Sequence, residues 1–398
     1  MTEAQKIACL RLIRSQNVGP ITYRKLLEQF GSAEKALENL PELANKGGKR
    51  HYHAFAKDKA HAEIERAQAI GAKLLCLGDE DYPEYLAAID DAPPCLYVRG
   101  HVSILHEPAL AMGGARNASA NGCFMAKNFA KFLALGGKAE DMQKFHIVSG
   151  LARGIDAAAH EGALEAAQQQ GGSTIAVMAG GVDVVYPPNH AKLYEEICAL
   201  GAVVSEQPPG LEAQARHFPR RNRIIAGLGF GVLVMEAAPK SGSLITARLA
   251  ADYGRDVFAV PGSPMDARAR GGNSLIRQGA ILVERVEDIH VEWQQSHHGL
   301  KDRFQGDGFD HNGAAMQAVT PNHAINHVDN LAIQTQLLSA LNSTPIDYNI
   351  LLRQFEDILP YQANAALLEL EISGKVQRHP GNRVSLLLEH QEAAPDWL

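Results

Sequence analysis

Apolar and polar positions change their rhythm twice along this chain. Near the N-terminus Ile7, Leu10 and Ile13 recur at helical spacing, Asn17-Val18-Gly19-Pro20 interrupts them, and Ile21 to Phe30 resumes the pattern until Gly31. Spacings of three and four put such side chains on one helical face, and a Gly-Pro step cannot continue a helix. Residues 1–78 are therefore expected to form a small helical domain with a helix-hairpin-helix element. Its turn either offers backbone N–H groups to a nucleic-acid phosphate or is an ordinary turn of a packing domain.

From about Pro108 to Asp288 short apolar runs alternate with longer helix-like stretches. The runs are Ala109–Gly113, His146–Ser149, Thr174–Ala179, Ala202–Ser205, Gly231–Met235, Asp256–Val260 and Ala280–Val283, and most end in Gly, Ser, Glu or Pro. Alanine-rich segments such as Gly154–Gln170 and Leu244–Tyr253 lie between them. Parallel strands need crossovers of this kind, so the spacing predicts an α/β fold with a doubly wound, mostly parallel sheet over residues 79–288.

After Asp288 the texture changes again. Residues 289–330 are rich in His, Asn, Gln, Gly and Asp, which predicts a flexible linker, and the irregular spacing of His290, His297, His298, His311, His323 and His327 does not suggest a metal site. Over residues 331–390, Leu331–Leu341, Ile346–Phe355 and Ala363–Ser373 read as three helices and Lys375–Leu388 alternates like a hairpin, together a winged-helix domain. Its second and third helices carry Arg353, Glu356, Asp357, Glu369 and Glu371, an acidic set that disfavours insertion into a DNA groove.

Composition adds exclusions. A length of 398 residues suggests two or three domains, and 46% apolar with 21% charged residues is an ordinary globular mixture. No apolar run reaches the ~20 residues of a membrane span, and the N-terminus lacks a signal peptide's apolar stretch, so a cytoplasmic protein with no membrane partner is expected. Cys9, Cys76, Cys95, Cys123 and Cys198 are scattered with no CxxC pair, which fits buried thiols better than zinc or disulfides.

Charge is more informative. The whole chain stands at −7, yet between Gln214 and Arg255 seven basic residues (Arg216, Arg220, Arg221, Arg223, Lys240, Arg248, Arg255) face two acidic ones (Glu236, Asp252), a local excess of 7 − 2 = +5. The excess sits beside the strand Gly231–Met235, at the sheet edge where loops and helix N-termini favour anions. A cluster of arginines there suggests a polyanion.

Four loops are expected to converge at that edge. Gly113-Gly114-Ala115-Arg116-Asn117-Ala118-Ser119 is a strand-to-helix turn whose glycines admit a phosphate and whose Arg116 adds charge. It lacks GxGxxG spacing and a ribose-binding acid, so no dinucleotide cofactor is expected. In Ser149-Gly150-Leu151-Ala152-Arg153-Gly154-Ile155-Asp156, Gly150 offers a backbone contact and Arg153 reaches either the ligand or Asp156. Along Ala179–His190, Tyr186 either stacks on a base or packs on its neighbouring prolines. Phe218-Pro219-Arg220-Arg221-Asn222-Arg223 and Glu236-Ala-Ala-Pro-Lys240-Ser241-Gly-Ser form the last loop, with the basic side chains facing solvent. Glu236 there orients Arg220 or Arg223, or caps the turn. No phosphate loop, GxSxG elbow or Ser/His/Asp set is present, so no catalytic residue is assigned.

The ordered motifs GGARNAS, SGLARGID, AGGVDVVYPPNH, FPRRNRIIAG, EAAPKSGSLITA, VPGS and RGGNSLIRQGA make the chain resemble the DprA (Smf) family of DNA-processing proteins, over about Pro108 to Val286. The resemblance implies an extended Rossmann-type core that binds single-stranded DNA, forms a homodimer, and loads RecA during natural transformation while displacing or bypassing single-strand-binding protein. It carries the DNA pocket onto Gly114, Arg116, Ser119, Gly150, Phe218, Arg220, Arg221, Asn222, Arg223, Lys240 and Ser241, and dimerisation onto Asn273–Ala280. Two positions depart from the family pattern: Ala115 stands where the first loop usually has serine, and Asn121 where a tyrosine precedes the glycine. Basic residues expected after Pro187 are missing at Pro188 and Asn189. A different class, a nucleotide phosphoribohydrolase-like enzyme, uses a related sheet with a glutamate near a glycine-rich loop, which Glu236 and Ser241-Gly242-Ser243 faintly match.

Overall fold

The computed structural model describes residues 1–49, 51–136, 142–305, 327–355, 357–379 and 381–387. At the N-terminus, α1 (Glu3–Arg14) opens on a capping box in which Thr2 and Gln5 satisfy each other's backbone N–H groups. Helix α2 (Pro20–Phe30) has proline at its first position and stops at Gly31, whose φ of 78° suits glycine. Helix α3 (Ala33–Lys46) is capped by Ser32, and α4 (Lys57–Ala69) follows.

The core then runs β1 (Ala72–Cys76), α5 (Glu84–Ala87), β2 (Cys95–Gly100), β3 (Ala109–Gly113), α6 (Ala120–Leu135), β4 (His146–Ser149), α7 (Ile155–Ala167), β5 (Thr174–Val177), α8 (Ala191–Leu200), β6 (Ala202–Ser205), α9 (His217–Leu228), β7 (Gly231–Val234), α10 (Ser243–Asp252), β8 (Asp256–Ala259), α11 (Arg270–Arg277), β9 (Ile281–Leu282) and α12 (Val286–Gln305). The sheet order is β1-β2-β6-β5-β4-β3-β7-β8-β9. Strands β3 to β9 pair in parallel, while β2 is antiparallel to both β1 and β6. From β3 the chain winds outward through β4, β5 and β6, then returns to β7 on the other side of β3 and winds through β8 and β9. The winding direction therefore reverses beside β3 and β7.

Alternation along the strands serves two packed layers. Ala111, Val148, Ile175, Val204 and Val232 face one way, under Ile224 and Leu228 of α9 and Ala247 of α10. Leu110, Met112, Ile147, Leu233 and Phe258 face the other, under Ala126 and Leu133 of α6 and Ile155 and Ala159 of α7. Among the cysteines, Cys9, Cys76 and Cys95 are buried and Cys123 and Cys198 half-buried, all as thiols.

The structure corrects the sequence expectations at both ends of the sheet domain. Ala72–Cys76, expected to be part of a helical N-terminal section, is the edge strand β1, because in AKLLC three consecutive buried residues follow one exposed lysine and leave no helical face. Residues 292–305, expected in a flexible linker, continue α12. Trp293 anchors that helix by packing edge-on against Phe145 and Phe230, with ring centroids 5.2 and 4.7 Å away. His311 and His323 lie outside the described residues, as does Glu356. Among the described residues no cluster of His, Cys, Asp or Glu is arranged to hold a metal ion, and no helix is long and apolar enough to cross a membrane.

At the C-terminal end α13 (His327–Ala340), β10 (Ile346–Asp347), α14 (Tyr348–Leu352), α15 (Pro360–Ile372), β11 (Val376–His379) and β12 (Arg383–Leu386) form a winged helix, with its small sheet in the order β10-β12-β11. The first two residues of the expected second helix are the strand β10 instead. Two compact units emerge: the sheet core is one, and helices α1–α3 together with the winged helix are the other.

Candidate nucleic-acid interface

The reversal in winding leaves a crevice beyond the carboxyl ends of β3, β4 and β7, the position where open α/β sheets take their ligands. A cavity of about 870 Å³ fills it. Its walls come from Gly114 and Arg116 after β3, Ala152 and Asp156 after β4, Phe218, Arg221 and Asn222 of α9, and Lys240–Ser243 ahead of α10. Helices α6, α7 and α10 all start from these loops, so their N-terminal N–H groups add positive potential. The Asn222 side chain donates to Gly242 O at 3.4 Å, and Ser241 and Ser243 share a 2.8 Å hydroxyl contact.

Helical phase decides which arginines reach the crevice. At about 100° per residue, Phe218, Arg221, Asn222 and Ile225 share one face of α9, and these are the α9 residues that line the cavity beside Pro219. Arg220 falls on the opposite side and is exposed. Arg223 points in a third direction.

The expectation that all the basic side chains face solvent fails for Arg221 and Arg223, which are 5% and 8% exposed. Arg221 lies along the cavity floor, donating from Nη1 to Gly150 O at 2.8 Å and also to Val177 O, with its guanidinium 6.0 Å from the Phe218 ring. Burial lowers its pKa to about 10, against the opposing pull of Asp156, so it stays charged at neutral pH. Asp156 accepts from Gly150 N and Ala152 N at 3.2 and 3.4 Å, and burial raises its pKa while Arg221 lowers it. Arg221 and the backbone therefore hold Asp156, and Arg153 is exposed and makes no ion pair with it.

Arg223 is committed elsewhere. It pairs with Glu206, approaches Asp91 Oδ2 at 4.0 Å and donates to Asp91 O at 2.6 Å. These acids are 17 and 132 residues distant in sequence, which is why the local excess of charge hid them.

The glycines and Ser119 prove to shape the loops. A Cβ on Gly114 would lie 2.6 Å from Ile155 Cγ1, and one on Gly150 2.6 Å from the Arg221 guanidinium. Ser119 caps α6 by accepting from Gly122 N, and its own N–H and hydroxyl donate to Glu236 at 2.8 and 2.5 Å. Glu236 thus caps the first loop and orients neither Arg220 nor Arg223. Gly150→Ala is expected to displace Arg221 and destabilise the core by about 1–3 kcal/mol, as overpacking does; a thermal melt checks this, and an unchanged melting temperature would contradict the packing described.

What remains accessible is Arg116, Lys240 and Arg220, all exposed. Among the described residues none of the ion pairs involves them. The Arg116 guanidinium lies 5.4 Å from the Phe218 ring centroid, and Tyr186, 50% exposed, meets the same ring edge-on at 5.5 Å. A crevice with helix N-termini, unpaired cations and two accessible rings is suited to a chain of phosphates and bases.

The sequence model of DNA recombination-mediator protein A matches residues 73–294, that of the DprA-like N-terminal HHH domain residues 3–66, and that of the DprA winged helix domain residues 328–382. The chain belongs to the DprA (Smf) family. Protein Smf of Escherichia coli K12 is 37% identical over 314 residues, covering 79% of this chain and 77% of its own length. DNA processing protein DprA of Streptococcus pneumoniae is 40% identical over 275 residues, covering 68% of this chain and 92% of its own. The X-ray structure of the S. pneumoniae DprA superposes with a TM-score of 0.57 at 35% identity, over 73% of this chain and 99% of that one.

Within this DprA-family chain the crevice also includes Arg268, which the basic window Gln214–Arg255 left out. It is bound by Asp266 at 2.9 Å, and only the return of the chain before α11 brings it to the site. No local signal in the sequence marks it.

Proposed function

We propose that the chain is a non-enzymatic, cytoplasmic mediator that binds single-stranded DNA in the β3/β4/β7 crevice, protects incoming DNA in natural transformation, and passes it as a homodimer to RecA in interplay with single-strand-binding protein. Membership of a recombination-mediator family supports the general role. The observation that carries the site is the pairing of unneutralised Arg116 and Lys240 with the Phe218–Tyr186 rings at one sheet edge. Cations hold the sugar-phosphate backbone while ring faces accept any base, a combination that tolerates sequence. Residues 79–288 are assigned as the DNA-binding domain, with Gly114, Gly150, Ser119, Arg221 and Arg223 shaping it and Arg116, Phe218, Asn222, Lys240 and Ser241 meeting the strand. Arg220, on the outer face of α9, serves a phosphate leaving the crevice.

The phosphoribohydrolase-like alternative requires a free carboxylate, and both oxygens of Glu236 are occupied by Ser119. No turnover of AMP, ATP or NAD is expected. Hydrolysis that disappears in Glu236→Ala would instead establish the enzyme. The DNA site is tested by fluorescence anisotropy of a dT oligonucleotide over a salt series beside an equal-length duplex; equal affinity for the duplex would overturn the single-strand assignment.

A further inference from the structure

The two acidic residues of α15 do not face outward, whereas Asp357, ahead of that helix, is exposed. Leu367, Leu368, Glu369, Leu370, Glu371 and Ile372 of α15 are all buried, although six consecutive residues span well over one turn and therefore every side of the helix. One side packs on α13 and the wing, and α3 of the N-terminal domain covers another. Glu371 Oε1 accepts from Thr22 Oγ1 at 2.7 Å, and its Oε2 accepts from Arg378 Nε at 3.3 Å. Glu369 Oε2 accepts from Asn330 and Gln334 at 2.7 and 2.6 Å. Asn17, in the turn between α1 and α2, donates to Ile372 O at 3.0 Å, so that turn is engaged by the end of α15.

Gly47 records how close the approach is. Its φ of −75° is open to any residue, yet a Cβ there would lie 2.2 Å from Glu369 O and 2.7 Å from Ser373 Cβ. Only contact with α15 requires glycine at this position. Lys25, half-buried at the same seam and 3.5 Å from Asn364 Oδ1, has its pKa lowered to about 8 by burial and by Arg378, against the pull of Glu371 and Glu28.

We propose that the N-terminal helical domain is the resident partner of the winged helix, so that the two form one module and the C-terminal half of the helix a winged helix offers to a DNA groove is occupied from within. Glu371 is then an acceptor across an intrachain seam and Glu369 an acceptor inside the winged helix, and neither is groove-facing charge. Duplex reading by α15 would require the seam to open, because Thr22, Asn17 and Gly47 stand where a groove would lie.

Two measurements on the full-length chain test this. Lys25→Cys with Asn364→Cys should join within one chain through a short bismaleimide, as mapped by peptide mass spectrometry; failure to join would overturn the docking. Gly47→Leu should force the seam apart without straining the backbone, so amide exchange over α15 should accelerate about tenfold or more while β3 to β7 exchange as before. Unchanged protection of α15 in that variant would sink the proposal. So would cross-linking of a duplex to α15 in the unmodified protein.

Discussion

Arg116→Glu combined with Lys240→Glu is expected to lower single-strand affinity roughly a hundredfold near about 0.1 M salt, because two attractions to phosphate become two repulsions. The slope of log K against log salt should fall by about 0.7 for each phosphate no longer neutralised. Both side chains are exposed and outside the ion pairs of the described residues, so melting temperature and elution volume should not move. Anisotropy with a dT oligonucleotide reads the affinity and the slope together. A folded double variant with undiminished affinity would remove the crevice as the DNA site. Arg221 is the wrong residue for this test, since a glutamate in its place would lie against Asp156 and Gly150 O and damage the core.

Arg223→Ala is expected to produce a large loss of stability and no specific loss of salt dependence. Removing the buried guanidinium takes its charge away from buried Asp91 and half-buried Glu206, although Asp91 keeps the Tyr253 hydroxyl at 2.7 Å, and costs about 3–5 kcal/mol. In a core of this size that lowers the melting temperature by roughly 6–20 °C. Calorimetry measures it. A melting temperature within the scatter of surface variants, accompanied by a reduced salt slope, would mean that Arg223 contacts phosphate after all.

The difference between these two arginine positions explains what the sequence could convey. Short continuous apolar runs and alanine-rich crossovers made β3 to β8 and their mostly parallel pairing legible, because strands covered on both faces leave few polar positions. Strand β1 was hidden, since AKLLC is too short to separate from a helical turn and its antiparallel partner β2 comes after a long excursion. The arginines of α9 were legible as a cluster but not as individuals. Their exposure depends on helical phase and on acids contributed by Asp91 and Glu206 from other elements, neither of which a window of local charge contains. Arg268 belongs to the crevice for the same reason and left no trace. The inward direction of Glu371 depends on a seam between segments about 350 residues apart in sequence, as the Thr22 contact illustrates, and that of Glu369 on Asn330 and Gln334 of α13, which precede it by more than thirty residues.

The bond pair from Ser119 to Glu236 reaches beyond its role as a cap. Because the first loop is fastened to the end of β7 before any ligand arrives, and Gly122 lets the carboxylate approach to where a Cβ would be 2.5 Å away, little loop ordering accompanies capture. The entropic toll of recognition then falls on the DNA strand. Encounter should therefore be fast and governed by ionic strength, while the lifetime of the complex reflects how many bases lie against the rings. In the proposed role, a loop already fastened in this way holds a strand without first closing over it.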